Sequence, residues 1–215
     1  DLLTSFGTLI LAPFSRTRYS LDALFIIDLA FTGICVATIV LTRKKVEAPR
    51  SLRRARLGGV VLAGYVALAL VNRQIALASF RAEHPQGRQY AVEALPHIPS
   101  VFNWMGVVRV PGGYDTASTF LLGRRPPVFR HVASQSQTPL AQTAGNLRLV
   151  KLYYWFARFP VVIEQNSSRG AELKIYDLRF TAVPRRDPPF VMRVFFNGAG
   201  EPSSIWYRNQ TFPAE

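Results

Sequence analysis

The chain has 215 residues, a formal net charge of +13, 49% hydrophobic residues and 18% charged residues. This length allows one ordinary domain with a membrane anchor, or a single globular domain. The hydrophobic residues are concentrated in the first 80 positions, which favours an anchor followed by a soluble region. The only cysteine is Cys35, so a disulfide framework and a CxxC metal site within this chain are excluded.

The positive charge is distributed unevenly. Between positions 43 and 56, seven basic residues accompany one acidic residue, Glu47, so this short loop carries +6. From position 80 onward, 16 basic and 9 acidic residues leave +7 without a dense stripe. Nucleic-acid-binding proteins concentrate their positive charge on one face. Because the loop lies between two apolar segments, we expect it to flank a membrane, and we predict no nucleic-acid partner.

Two apolar segments are predicted to be transmembrane helices. The first covers residues 21–42 and is interrupted only by Asp22 and Asp28; its 22 residues suffice for a hydrocarbon core of ~30 Å. The second covers residues 57–78. Its small residues would let it pack closely on another helix, and they are Gly58, Gly59, Ala63, Gly64, Ala67 and Ala69. A buried helical hairpin of a soluble protein is the alternative.

The segment before the first span, residues 2–14, is apolar but too short to cross a bilayer, and it contains Gly7 and Pro13. We expect it to be the end of an earlier helix or a re-entrant segment. Because Lys and Arg mark the cytoplasmic side, the loop 43–56 is predicted to be cytoplasmic. The region 85–215 is then extracytoplasmic.

Beyond residue 95 the chain changes to short β-type runs separated by turn residues. One helix is predicted within residues 139–159, where apolar residues recur at helical spacing. The predicted fold is therefore an α+β membrane protein, with a two-helix membrane region, 1–84, followed by a mostly antiparallel β domain with one packed helix, 85–215. The predicted strands are 104–110, 115–122, 127–133, 161–165, 173–181, 190–196 and 204–207.

Three motifs near the start of the chain are DLLTSFGT at 1–8, PFS at 13–15 and FIID at 25–28. Their order and spacing resemble the bacterial membrane-bound metal-dependent hydrolase family, also called YdjM-like. In that family a segment LLD-x-x-T-x-(Y/F)-G-T leads to a proline and then to FIID at the start of a membrane helix. Later segments that resemble the family lie at 99–104, 113–114, 155–160 and 177–180.

The chain departs from the family pattern at two positions and lacks one part of it. Leu29 and Met105 stand where the family usually has Pro and Arg. The family's histidine motifs precede the position of Asp1, and the resemblance implies that those histidines are metal ligands. It thus implies a divalent metal cofactor with most ligands upstream of this chain. Because the chain begins at Asp1, without a Met or a signal peptide, its start is expected to be internal to a longer protein.

Asp1 and Asp28 are the candidate catalytic and metal-ligating residues. Asp28 lies seven residues into the first predicted span, where a carboxylate is costly unless it is paired, hydrated or bound to a cation. The alternative is an aspartate near the interface that hydrogen-bonds to neighbouring helices. Asp1 occupies the family's LLD aspartate, so the resemblance implies a hard oxygen ligand of the metal. Its alternative is a cap or a chain-end charge.

Three further positions of the membrane region have competing interpretations. Thr4 and Gly7 match the family motif and are implied to shape the backbone around the site; small residues at a helix crossing are the alternative. Arg73, near the end of the second span, is expected to extend its charged end to the interface. Its alternative is pairing with a substrate phosphate.

The other conspicuous residues have structural interpretations. His84, His97 and His131 are far apart in sequence and are interpreted as lone surface or loop histidines. Asp177 and Arg179 alternate with apolar residues, which predicts an ion pair on one face of a strand. A group of aromatic residues either packs a helix on the sheet or lies at the bilayer surface: Tyr153, Tyr154, Trp155, Phe156 and Phe159.

Two hypotheses of function remain. The resemblance implies a metal-dependent hydrolase of the bacterial inner membrane, in which a divalent cation lowers the pKa of a bound water and polarises the scissile group. The lipid bilayer is then its partner, and the location permits a lipid or lipid-linked substrate. The alternative is a non-catalytic membrane scaffold whose outer β domain binds a partner.

Overall fold

A computed structural model of the chain describes residues 1–43, 48–87, 89–123, 125–167, 170–181 and 187–214. The chain divides into two compact units. The first unit comprises Asp1–Val108 and Thr116–Phe129, and the second comprises Arg109–Asp115 and Arg130–Glu215. Part of the predicted cytoplasmic loop, residues 44–47, lies outside the described residues.

In the described part of the chain, groups of helices alternate with groups of strands. Two helices come first and are followed by four strands, two shorter helices and five strands. A single 3₁₀ turn, Leu178–Phe180, follows the second strand of the last group. The bounds are α1 Leu29–Arg43, α2 Ala48–Glu83, β1 Val92–Pro96, β2 Asn103–Val110, β3 Gly113–Phe120, β4 Arg130–Ala133, α3 Pro139–Gly145, α4 Arg148–Phe156, β5 Pro160–Ser167, β6 Gly170–Asp177, β7 Met192–Phe196, β8 Pro202–Tyr207 and β9 Gln210–Pro213.

The first predicted transmembrane helix, 21–42, is wrong in its start and its length. Asp28 caps α1, because its Oδ1 accepts a hydrogen bond from the backbone N–H of Phe31 at 2.8 Å. Residues before it pair with the chain start instead: the N–H groups of Leu21 and Ala23 donate to the carbonyls of Leu2 and Leu3. With 15 residues, α1 is about 22 Å long, less than a ~30 Å hydrocarbon core.

The second predicted span, 57–78, falls inside the much longer α2. This helix has 36 residues and begins at Ala48, so most of the predicted basic loop is the first part of a helix. Within the described residues, α2 is the one helix long and apolar enough to cross a membrane. The prediction of two transmembrane helices is therefore wrong, because the polar cap at Asp28 shortens the first of them.

Contacts between α1 and α2 are close. A Cβ atom built on Gly58 would lie 2.3 Å from the Thr38 side chain, so a larger residue there requires the two helices to shift. The guanidinium of Arg54 donates to the carbonyl of Leu41 at 3.0 Å, and Ser51 Oγ donates to the carbonyl of Thr42 at 3.2 Å. Side chains from the start of α2 thus satisfy carbonyls at the end of α1.

The strands form two antiparallel sheets, so the prediction of a single β domain with one packed helix is also wrong. One sheet has the order β1-β2-β3-β4, and the other has the order β5-β6-β7-β8-β9. The predicted helix within 139–159 is two helices, because Asn146 and Leu147 interrupt it. Both contribute to the core of the second unit, which includes Ala141, Ala144, Val150, Tyr153, Leu173, Ile175, Met192, Val194 and Ile205.

Candidate functional site

The family-like motif at the chain start folds as a tight turn. The backbone N–H of Thr4 donates to the carbonyl of Asp1 at 3.0 Å, and Thr4 Oγ1 donates to the same carbonyl at 2.9 Å. Asp1 itself is exposed. Thr4 therefore fixes the backbone of Asp1. This local turn by itself explains why the motif has a threonine at this position.

Gly7 is required by the geometry of the same segment. Its φ is +71°, a left-handed conformation that favours glycine. A Cβ atom at this position would also lie 3.0 Å from the carbonyl oxygen of Tyr19. Thr8 and Tyr19 form an isolated antiparallel bridge directly beside it. Gly7 thus lets the apolar segment 2–14 fold back on residues 19–24; these residues contain no helix, so the expected helix end is wrong, whereas a re-entrant segment stays a prediction.

Asp28 is buried and is held by a tyrosine of α2. The hydroxyl of Tyr65 lies 2.9 Å from both carboxylate oxygens of Asp28, and the Phe31 N–H bonds to Oδ1. Only 6% of Asp28 is exposed. The predicted site residue is therefore a helix cap that also joins α1 to α2. Its carboxylate retains acceptor capacity, since an ionised aspartate can accept about four hydrogen bonds.

A second acidic residue of the same region, Asp22, is even more deeply buried. It is 2% exposed and lies in the left-handed region, with φ +49°. Ser20 Oγ donates to Asp22 Oδ1 at 3.0 Å, and Arg73 Nη2 lies 3.4 Å from Asp22 Oδ2. The Nε of Arg73 is buried and makes no hydrogen bond. Aspartate tolerates this backbone conformation better than most residues, and strained positions of this kind concentrate at functional sites.

The residue next to Arg73 anchors α2 to the loop that follows β1. Asn72 is buried, and its Nδ2 donates to the carbonyl of Val101 at 3.1 Å. The indole N–H of Trp104 donates to the same carbonyl at 2.9 Å. Val101 packs with Ala23, Leu24 and Ala69 in a small apolar cluster. The chain neighbours of both residues are therefore fixed: Ala23, next to Asp22, packs in the apolar cluster, and Asn72, next to Arg73, is hydrogen-bonded to Val101.

Tyr65, Asn72 and Arg73 belong to one side of α2, because residues seven or eight apart are two helical turns apart. Two buried aspartates of the N-terminal segment therefore meet polar groups along about 12 Å of this helix. We call the four residues Asp22, Asp28, Tyr65 and Arg73 the aspartate row. Sequence reasoning selected Asp28 but not Asp22, although both aspartates interrupt the same apolar segment. That shared feature is the signal that would have found Asp22.

The residues in this row do not make a metal site by themselves. Among the described residues, no group of three or more His, Cys, Asp or Glu side chains is arranged to hold a metal ion. Asp1 is exposed, whereas Asp22 pairs with Arg73 and Asp28 bonds to Tyr65. Carboxylates engaged by a cation and a phenol are available to a metal only through their remaining lone pairs.

The three histidines are separate from the aspartate row. His84 is not a surface residue, since it is only 5% exposed. Its ring packs edge-on against the ring of Phe129, with 4.7 Å between the ring centroids. Burial lowers the pKa of His97 below its usual value. His131 Nδ1 lies 2.8 Å from Asp115 Oδ1 on an exposed part of the second unit. An exposed cross-strand pair of this kind needs no catalytic explanation.

Among the described residues of the second unit, Asp177 and Arg179 form the most buried ion pair. Arg179 Nη2 lies 2.7 Å from Asp177 Oδ2, and their side chains are 3% and 0% exposed. Asp177 ends β6 and caps the following 3₁₀ turn, so the strand predicted to run to residue 181 ends earlier. Arg179 also donates to the carbonyl of Phe156 at 2.8 Å. These hydrogen bonds join the end of β6 to the end of α4.

A more exposed charge cluster covers one face of the five-stranded sheet. Arg193 bridges Glu172 at 2.9 Å and Asp187 at 2.8 Å, and Lys174 also pairs with Asp187. The hydrogen bond from Lys174, aided by Arg193, holds the pKa of Asp187 below its usual value. The charges of this cluster pair with one another, and its exposure is uneven, since Glu172 is buried whereas Asp187 is 36% exposed.

Comparison of the chain with protein-family models, with curated proteins and with solved structures finds no match in any of the three.

Proposed function

We propose that this protein is a membrane-bound, metal-dependent hydrolase that acts at or near the bilayer, on a lipid or lipid-linked substrate. The observation that carries the membrane part is the apolar surface of α1 and α2. Both helices expose large apolar side chains, and soluble proteins rarely expose contiguous patches of that extent. They are Leu29, Val36, Ile39, Val40, Leu41, Leu52, Leu57, Val60, Val61, Leu68, Val71 and Ile75.

The arrangement of charge along α2 supports the same proposal. No charged residue occurs between positions 57 and 72, whereas four arginines precede this stretch at 50, 53, 54 and 56. A basic end marks the cytoplasmic side of a span. In the proposal α2 crosses the bacterial inner membrane, α1 packs along it, and the residues after α2 are extracytoplasmic.

The hydrolase part rests on the resemblance and on where its motif residues lie. Asp1, Thr4, Gly7 and Asp28 all lie within residues 1–28, and this segment contacts α2 through the Asp28–Tyr65 and Asp22–Arg73 pairs. The described residues alone do not fit a metal. If further ligands were supplied, Asp28 would contribute one carboxylate and Tyr65 would orient it, as hydrogen-bonding partners of metal ligands commonly do.

The membrane topology gives the first prediction. A reporter active only in the cytoplasm should be inactive when fused after Glu215 and active when fused within the first turns of α2, because the arginines there resist translocation. The control is the same pair of fusions with a reporter that works only outside the cytoplasm, which should give the opposite pattern. Cytoplasmic activity after Glu215 would overturn the topology.

Metal binding gives the second prediction. Asp28→Asn should weaken metal affinity by at least ~10 to 100-fold, the usual cost of disturbing only the support of a ligand. Membrane abundance should stay normal, because asparagine also caps helices well. Tyr65→Phe is the matched variant: it keeps the ring and removes only the hydroxyl that bonds Asp28. Elemental analysis and immunoblotting measure the two quantities, and metal content unchanged in both variants would leave Asp28 as a packing residue.

A non-catalytic membrane scaffold is the second candidate. The observation that favours it is that Asp28 already serves as the cap of α1 and the bond to Tyr65, so the fold alone accounts for it. A full-length protein without stoichiometric metal would support the scaffold over the hydrolase.

A further inference from the structure

Helix α4 has one buried side and one exposed side. Val150 and Tyr153 are buried in the core of the second unit. Four other residues of α4 are exposed: Arg148, Lys151, Leu152 and Trp155. The last three lie three, four and seven positions after Arg148, so all four share one face of the helix. Leu152 is 58% exposed and Trp155 is 46% exposed. We call these four residues the α4 face.

An apolar groove lies directly beside the α4 face. It has a volume of about 270 Å³ and is lined by leucine and aromatic residues of α4 together with Met192 of β7 and Tyr207 of β8. Leu152 and Trp155 belong both to the groove and to the α4 face. The apolar surface therefore continues from the exposed helix into a depression of the protein.

The charged residues on α4 and directly after Tyr207 are all basic. Arg148 and Lys151 are basic, α4 contains no acidic residue, and Arg208 follows Tyr207 at the next turn and is also exposed. A second copy of the chain would bring the same basic residues against them, with +13 on each copy. The complementary surface is therefore anionic and apolar together, and an acidic phospholipid bilayer has both properties.

We propose that the α4 face docks on an anionic lipid surface. Trp155 and Leu152 enter the interfacial region, where tryptophan is favoured, and Arg148 and Lys151 pair with lipid phosphates. This contact is additional to the membrane helix α2 and does not depend on hydrolase activity. It would hold the second unit against the membrane on which the proposed substrate lies.

Tryptophan fluorescence tests the proposal in the full chain. The protein is reconstituted in vesicles of phosphatidylcholine with phosphatidylglycerol, in which the acyl chains are brominated and quench nearby tryptophans. The chain has three tryptophans. We expect quenching of Trp155, seen as a component that Trp155→Phe removes. Trp206→Phe is the matched control: Trp206 stacks with Arg193 on the sheet face opposite the core side, so its loss should leave the quenched component intact.

The charge requirement is tested separately. Arg148→Gln and Lys151→Gln should each lower the equilibrium constant for docking by about fivefold, and vesicles of phosphatidylcholine alone should lower it for the parent protein. Equal quenching of the parent and Trp155→Phe would overturn the proposal. So would a Trp155 that is shielded from brominated lipid and from aqueous acrylamide alike, because a second copy of the chain would then cover the face. The topology fusions are read independently, so failure here leaves the placement of α2 untouched.

Discussion

Arg179→Met is expected to lower the free energy of unfolding of the second unit by about 3–5 kcal/mol, the cost of removing one partner from a buried ion pair. Asp177 would remain 0% exposed and lose its cation, while the carbonyl of Phe156 would lose a donor. Methionine keeps much of the volume and the contact with the Phe156 ring, so the loss reports the charge. Denaturant unfolding followed by far-UV circular dichroism measures it.

The matched control for that experiment is Arg193→Met. Arg193 also bridges two carboxylates, but its side chain is 28% exposed, and its partners Glu172 and Asp187 are 8% and 36% exposed. Water reaches the guanidinium, and Glu172 is the one buried partner, so we expect a loss of about 1–2 kcal/mol, smaller than that of Arg179→Met. If the two variants lost equal stability, burial of Asp177 and Arg179 would not be what makes their pair strong.

Arg73→Leu is expected to destabilise the first unit by about 2–3 kcal/mol, somewhat less than the cost for a fully buried pair because Arg73 is 21% exposed. The substitution leaves Asp22 buried at 2% exposure with Ser20 still bonded to it. A protein solubilised in mild detergent should show a lower midpoint of thermal unfolding, and less of it should accumulate in membranes.

Two further variants make this result specific. Arg81→Leu removes an exposed arginine from the same helix and should leave the midpoint almost unchanged. The double variant Asp22→Asn with Arg73→Leu should recover part of the loss, because no buried charge remains without its counter-charge. A double variant that is less stable than Arg73→Leu alone would show that Asp22 is not held chiefly by Arg73.

Local sequence features predicted several elements close to their observed positions. The strand expected at 104–110 corresponds to β2, and the strand expected at 204–207 falls within β8. Short runs of apolar, β-branched and aromatic residues between turn signals predict strands, and β2 is buried on both faces over residues 104–108. By contrast, β1 was missed, because its sequence VEALP has few residues typical of strands and becomes a strand by pairing with β2.

The aspartate row shows why the candidate site was only partly predicted. An aspartate in an apolar segment is conspicuous in any sequence, which is how Asp28 was selected. Its partner Tyr65 is 37 residues away, and Arg73 is 51 residues from Asp22. No local pattern encodes which of several polar residues on α2 will meet which aspartate.

The sequence by itself determined that the chain has an apolar first part with a basic segment inside it and a β-rich second part, because composition and periodicity are local properties. The tertiary structure decided that Asp28 begins α1 and shortens it, that Asp22 pairs with Arg73, and that Asp177 and Arg179 are buried together. Each of these depends on burial, and burial makes an unpaired charge so costly that the fold must bring its partner to it. Which residue becomes that partner is set by how the helices and strands pack.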